Sequence, residues 1–216
     1  MGLRAFALSA LPDEPWRNGG GRTRTIATGL CESPTAAVDA DHEPPWDWRL
    51  SVATIERSGP FSAFPGVDRS SMLLGAGSIE LSATGETTLR MHCPGDVVAY
   101  RGDAIWNAMV RSDGPPQSLF NVMTRRGAAQ ARLRAWRNDA SLKGRALAVL
   151  VIDGRWRVVD ESDQDRCWTL GPGEGAFSDA QPGRLAIVRW RAERVSAAGM
   201  LSSIEINGVE RLRQAD

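Results

Sequence analysis

The residues best equipped for chemistry in this chain are arginines set beside small polar side chains in strand-like sequence. Arg49 and Ser51 alternate with Trp48, Leu50 and Val52 in the run Trp48-Arg49-Leu50-Ser51-Val52-Ala53-Thr54-Ile55-Glu56. Arg69 follows the turn Phe64-Pro65-Gly66, and Asn121 lies within the apolar run Leu119 to Thr124. A guanidinium presents a planar fork that grips a carboxylate through two parallel hydrogen bonds. Burying one without a counter-charge costs several kcal/mol, so a strand arginine inside a protein needs an acid or an anionic ligand. Glu56, Glu80, Asp96 and Asp103 are the acids available for structural ion pairs, and both readings stand at this point.

Other chemistries find little support. With only two histidines, His42 and His92, a mononuclear centre built from three imidazoles is excluded by count. No Gly-x-Ser-x-Gly elbow and no Gly-x-x-x-x-Gly-Lys-Ser/Thr phosphate loop occurs. His92 and Cys93 are adjacent, which on a strand sends their side chains to opposite faces and makes a poor dyad. Cys31, Cys93 and Cys167 are odd in number and far apart, against a disulfide framework or a cysteine-rich zinc site. The expectation is a protein without metal or other cofactor. If it is an enzyme, an isomerase or hydrolase independent of metal, then Asp96, Asp103 or Glu56 is the candidate base.

The least ordinary local sequence is Trp16-Arg17-Asn18-Gly19-Gly20-Gly21-Arg22-Thr23. Three successive glycines cost entropy on folding and permit a positive φ or a very close backbone approach. One reading is a lip over a cavity that presents amide groups or the Asn18 side chain. The other is a β-turn with Trp16 packed as a core plug.

These residues must be held by strands. Gly (22) and Pro (12) punctuate short apolar runs along the whole chain, the pattern of an all-β protein. In the Trp48 to Glu56 strand either Arg49 and Ser51 or Trp48, Leu50 and Val52 face an interior; alternation alone leaves this open. A hairpin is expected from Ser71 to Leu81, turning at Gly75-Ala76-Gly77, and a short helix is an option for 137–143. Gly29 to Pro45 reads as a surface insertion, and a last strand is expected around Ile204 to Ile206.

The second half repeats the first. Leu73 to Leu81 is matched by Leu150 to Val158, Pro94-Gly95-Asp96 by Pro172-Gly173-Glu174, and Phe120 to Arg126 by Leu185 to Arg191. Two similar β modules imply paired barrels or a sandwich, with lobes at 1–136 and 137–216. Basic and acidic residues balance at 26 each, so no global charge draws the chain to nucleic acid or an anionic membrane. No run is long enough to span a bilayer, and the expected compartment is the cytoplasm.

Taken together, several blocks resemble the HutD/Ves family of bacterial proteins. They are Pro15-Trp16-Arg17-Asn18-Gly19-Gly20-Gly21-Arg22-Thr23, Trp48 to Ala53, Gly59-Pro60-Phe61-Ser62-Ala63-Phe64-Pro65-Gly66-Val67-Asp68-Arg69, and Phe120-Asn121-Val122-Met123. The resemblance implies a bicupin, two cupin-type β lobes in one chain, without metal. It also implies a link in some members to histidine utilisation, with a regulatory role and an intermediate such as formylglutamate as ligand; Ves-type members are associated with stress. The chain departs from the family pattern at Thr25, where Glu is common, and at Leu119, where an acid is common. The expected function is therefore binding of a small anionic metabolite. Arg69 is the main carboxylate fork, Arg49 and Asn18 support it, Ser51 and Asn121 add neutral hydrogen bonds, and Trp16 forms an aromatic wall. Homodimerisation is left open.

Overall fold

The computed structural model describes residues 2–31, 45–111, 114–179 and 187–208. Most of the Gly29 to Pro45 insertion, with His42, lies outside them. Among the described residues the chain forms antiparallel strands and a single 3₁₀ turn at Leu8–Ala10. The strands of the first half are β1 (Gly2–Ala7), β2 (Glu14–Pro15), β3 (Gly21–Gly29), β4 (Trp48–Ile55), β5 (Gly59–Pro60), β6 (Val67–Leu73), β7 (Ile79–Ser82), β8 (Leu89–Met91), β9 (Val97–Arg101), β10 (Asn107–Met109) and β11 (Gln117–Arg125). Those that follow are β12 (Ala129–Trp136), β13 (Ala140–Gly144), β14 (Ala146–Asp153), β15 (Trp156–Asp160), β16 (Asp163–Leu170), β17 (Glu174–Asp179), β18 (Val188–Arg194) and β19 (Met200–Gly208).

Four open sheets make two lobes. The first lobe faces a six-stranded sheet, β2-β3-β4-β11-β6-β9, with a four-stranded one, β5-β10-β7-β8. The second pairs β1-β17-β14-β19-β12 with β13-β18-β15-β16. Stripped of β1, β2 and β3, both lobes have one strand order: β4-β11-β6-β9 over β5-β10-β7-β8, and β12-β19-β14-β17 over β13-β18-β15-β16. This is the all-β, two-lobed cupin arrangement. β1 and β12 precede residue 137, yet both hydrogen-bond in the sheet otherwise built from later residues.

The repeat extends to turn chemistry. Gly95 (φ 92) and Gly173 (φ 77) adopt the left-handed conformation that glycine enters without steric penalty. The amide of Gly95 donates to the carbonyl of Leu73, and that of Gly173 to Val151. The following acid closes each turn: Asp96 accepts from the amides of His92 and Cys93, and Glu174 from that of Gly171.

Three local expectations are corrected. Ser71 to Leu81 is not a hairpin: β6 and β7 belong to opposite sheets, and Gly75 to Gly77 is the corner between them. β14 and β15 make the same corner in the second lobe. The 137–143 segment leads into strand β13, because Leu142 is needed in the second lobe's core opposite Trp190. The repeat of Phe120 to Arg126 in β11 is β19, not the β18 region, since β11 pairs with β6 as β19 pairs with β14. The expected last strand is β19.

Packing settles which face of β4 is inside. Trp48, Leu50 and Val52 join Phe120 and Val122 of β11, then Ala146, Ala148, Leu150 and Ile204, in a core that glues the lobes together. Arg49 and Ser51 consequently face the interior of the first lobe.

A candidate anion site in the first lobe

Strand register arranges the interior face of the six-stranded sheet in three rows. Ala53, Leu119 and Leu73 form an apolar row. One step along, Thr25, Ser51, Asn121 and Ser71 form a neutral polar row. One step further, Arg49, Met123, Arg69 and Tyr100 form a row with two guanidiniums. A β-bulge between Thr25 and Ala27 keeps Thr25 on this face while Ile26 joins the inter-lobe core. The opposite wall is apolar: Phe61, Ile79, Leu81, Met91, Trp106 and Ala108.

Arg69 is the centre of the site. It is only 7% exposed, and its guanidinium carbon lies 5.1 Å from the Tyr100 ring centroid, 5.3 Å from Phe61 and 5.8 Å from Phe64. Nη1 donates to the carbonyl of Ser62 at 3.3 Å, and the buried Nε has no hydrogen-bond partner. No carboxylate reaches ion-pair distance of Arg69 among the described residues. Three aromatic faces stabilise the cation by cation–π attraction and leave it without counter-charge.

Arg49 is half-buried, and its Nη2 donates to the Thr25 hydroxyl at 2.7 Å. Burial lowers its pKa; Glu14 pulls it back up and the positive charge of Arg69 lowers it further. The two cations therefore feel one another. Between them and the apolar row, Tyr100 and Ser71 hydroxyls lie 3.0 Å apart, and Ser71 Oγ donates to Asn121 Oδ1 at 2.5 Å. Asn121 Nδ2 donates to the Leu119 carbonyl at 3.3 Å, a long bond that leaves its second N–H for other use. Ser51 is buried without a side-chain hydrogen bond among the described residues.

Asn18 and Trp16 act further out. The Asn18 side chain accepts from the amide of Gly20 at 2.9 Å and donates to the carbonyl of Pro60 at 3.2 Å. It thus ties the glycine turn to the 59–66 loop that carries Phe61, Ser62 and Phe64. Trp16 donates from Nε1 to Thr23 and meets Phe61 edge-on, ring centroids 5.7 Å apart. It stands behind Phe61. Gly21 must be glycine here because a Cβ would collide with the backbone carbonyl of Thr54.

The far side of the same loop is fastened to the β9–β10 segment. Phe64 N–H donates to Gly102 at 2.6 Å, Phe61 N–H to Trp106 at 2.7 Å, and Gly66 N–H to the Asp103 carboxylate at 3.0 Å. Asp103 also accepts from Arg126 at 2.6 Å. Sequence reasoning singled out neither Tyr100, Ser71, Phe61 nor Phe64 as site residues. Two-residue alternation with Arg69 could have found Ser71; the rings come together only through the fold.

The three acids considered as bases are occupied elsewhere. Asp96 caps its turn, and the amides of His92 and Cys93 hold its pKa below the usual carboxylate range. Asp103 is lowered by the Gly66 amide and then by Arg126. Glu56 is exposed and pairs with Arg22 at 2.9 Å. None belongs to the three interior rows. Among the described residues no group of three His, Cys, Asp or Glu converges, and a site lined by two guanidiniums is the wrong charge for a cation.

Among the described residues the second lobe has no such site. Counted from the carbonyl that receives the turn glycine's amide, Leu147 stands where Arg69 stands in the first lobe, and Val149 where Ser71 stands. Leu147 and Val149 pack with Trp156 and Trp190 in a solid apolar core.

The model of the HutD family matches residues 8–193. This chain belongs to the HutD family. Protein Ves of Citrobacter koseri is 36% identical over 175 residues, covering 78% of this chain and 84% of that protein. HutD of Pseudomonas fluorescens SBW25 superposes with a TM-score of 0.74 at 21% identity, over 97% of this chain and all (100%) of its own. A cupin 2 conserved barrel domain protein of Leptotrichia buccalis gives 0.54 at 10% identity, over 94% and 96%. At such identities the structural likenesses concern the fold alone. Of the helices in this HutD family member, none described is long and apolar enough to cross a membrane.

Proposed function

We propose that the first lobe binds a small anionic metabolite, with Arg69 as the principal contact for its carboxylate. The observation that carries this reading is a buried guanidinium, enclosed by Phe61, Phe64 and Tyr100, with no acid at ion-pair distance among the described residues. Aromatic faces offset part of the cost of burying such a charge, and an anionic ligand would offset more. Arg49 supplies a second positive charge, and Ser51 and Asn121 supply neutral hydrogen bonds one step deeper. Asn18 and Trp16 act indirectly, by holding the 59–66 loop and the Phe61 ring.

The reading is binding rather than turnover, because no carboxylate, imidazole or thiol stands in the three rows to move a proton. In a cell this suits a protein that senses a metabolite. Mass spectrometry of small molecules co-purifying with the native protein, followed by calorimetry with those found, tests it. An acid retained by the wild type and lost from Arg69→Met supports the reading. Equal retention by both proteins rejects it.

A further inference from the structure

Four arginines on or beside the first-lobe sheet are held by acids. Arg22 and Arg24 reach Asp13 at 2.9 and 3.0 Å, Arg125 reaches Asp47 at 3.2 Å, and Arg126 reaches both Asp68 and Asp103. Among the described residues Arg49 reaches only the neutral hydroxyl of Thr25, at 2.7 Å. Glu14 influences it from a distance but forms no ion pair with it. Because Arg69 likewise has no acid at ion-pair distance among the described residues, two positive charges face one interior with a single strand, β11, between their own. Neighbouring strands lie about 4.8 Å apart, so the two Cα atoms are roughly 10 Å apart, and flexible side chains of this length can converge on one ligand. Two like charges, one buried and one half-buried, repel one another, and a monoanion relieves only half of the excess.

We propose that Thr25 is a specificity-determining residue: by giving Arg49 a hydrogen-bond acceptor without a charge, it reserves the Arg49–Arg69 pair for a doubly charged small anion. This rests on the anion site described above and adds the charge of its ligand. Two chemistries supply such a charge, a short dicarboxylate spanning both forks and a single phosphate-type oxyanion clamped between them. A carboxylate at position 25 would stand beside Arg49 Nη2, neutralise it, and reduce the site to one free cation.

The test is calorimetry on the full chain at low salt with succinate, its monoamide succinamate, and inorganic phosphate. Thr25→Glu is compared with Thr25→Gln, which is similar in size but uncharged. Wild-type protein is expected to prefer succinate or phosphate over succinamate by tenfold or more. Thr25→Gln should keep most of that preference and Thr25→Glu should abolish it. Arg49→Met provides an independent route to the same loss should Thr25→Glu fail to fold. Tighter binding of succinate identifies the two-headed ligand, and tighter binding of phosphate the single-headed one. Succinamate binding as tightly as both succinate and phosphate in the wild type overturns the proposal while leaving a monoanion site. A preference that survives in both Thr25→Glu and Arg49→Met overturns it as well. Failure of every probe to bind removes the anion site itself.

Discussion

Arg69 and Leu147 occupy the same place in the two lobes, each four residues before the carbonyl that receives the amide of a left-handed glycine, Leu73 for Gly95 and Val151 for Gly173. One is a guanidinium in an aromatic box and the other an aliphatic plug. The duplicated fold is thus chemically asymmetric. One ligand per chain is expected, and a calorimetric stoichiometry near two would contradict it. Leu147→Arg should not create a second site. It should destabilise the protein by more than about 3 kcal/mol, because the position is 1% exposed and offers a charge no partner.

Arg69→Met should leave the protein folded, with stability unchanged or raised by up to about 2 kcal/mol, since it removes a buried unpaired charge while nearly conserving volume. Anion affinity should fall by at least a hundredfold. Urea denaturation and titration of the same variant check both halves of the statement.

Asn18→Ala should weaken binding several-fold without touching the ligand. Its amide bonds Gly20 and Pro60, and their loss loosens the loop carrying Phe61 and Phe64. The stability cost should be about 1 kcal/mol. A structure of the variant with the 59–66 loop unmoved would assign Asn18 to direct contact instead.

Two carboxylates should shape acid stability. Asp96 is held low by the His92 and Cys93 amides, and Asp103 by the Gly66 amide and Arg126. Because their folded pKa values lie below the unfolded value of about 3.9, each contributes stability that is fully present above that pH. The contribution disappears as pH falls through the folded values. Asp96→Asn and Asp103→Asn should therefore flatten the fall of unfolding free energy below pH 4. A wild-type slope retained in both variants would refute the assignment.

Thiol reactivity should divide two against one. Burial, and next the charge of Asp47, push the Cys31 thiol up to about 11, whereas Cys93 and Cys167 are exposed. Reaction needs the thiolate. At pH 8 an aromatic disulfide reagent should modify two thiols of the native protein quickly and the third only on unfolding.

Much of the architecture was legible along the chain. Alternation marked β4 and β11, and Pro-Gly-acid turns marked the corners before β9 and β17, because a left-handed glycine followed by a capping acid is local chemistry. The third repeat was misplaced by one strand because β18 and β19 both carry buried apolar residues on strand-like sequence, and only pairing partners distinguish them. The Ser71 to Leu81 hairpin failed for a related reason. A glycine corner between two sheets and a hairpin turn look alike in sequence.

By itself the sequence determined the strand-rich fold, its internal duplication, its family, and the residue types available to a site: Arg49, Ser51, Arg69 and Asn121. These follow from periodicity and from motifs a few residues long. Which face of β4 is interior, and which arginine lacks an acid, was decided only by the tertiary structure. Arg126 finds Asp68 and Asp103 across 58 and 23 residues, whereas Arg69 finds three rings and the Ser62 carbonyl but no acid among the described residues. A guanidinium's charge is balanced by whatever the folded chain brings within a few ångströms, and that neighbourhood is not a property of local sequence.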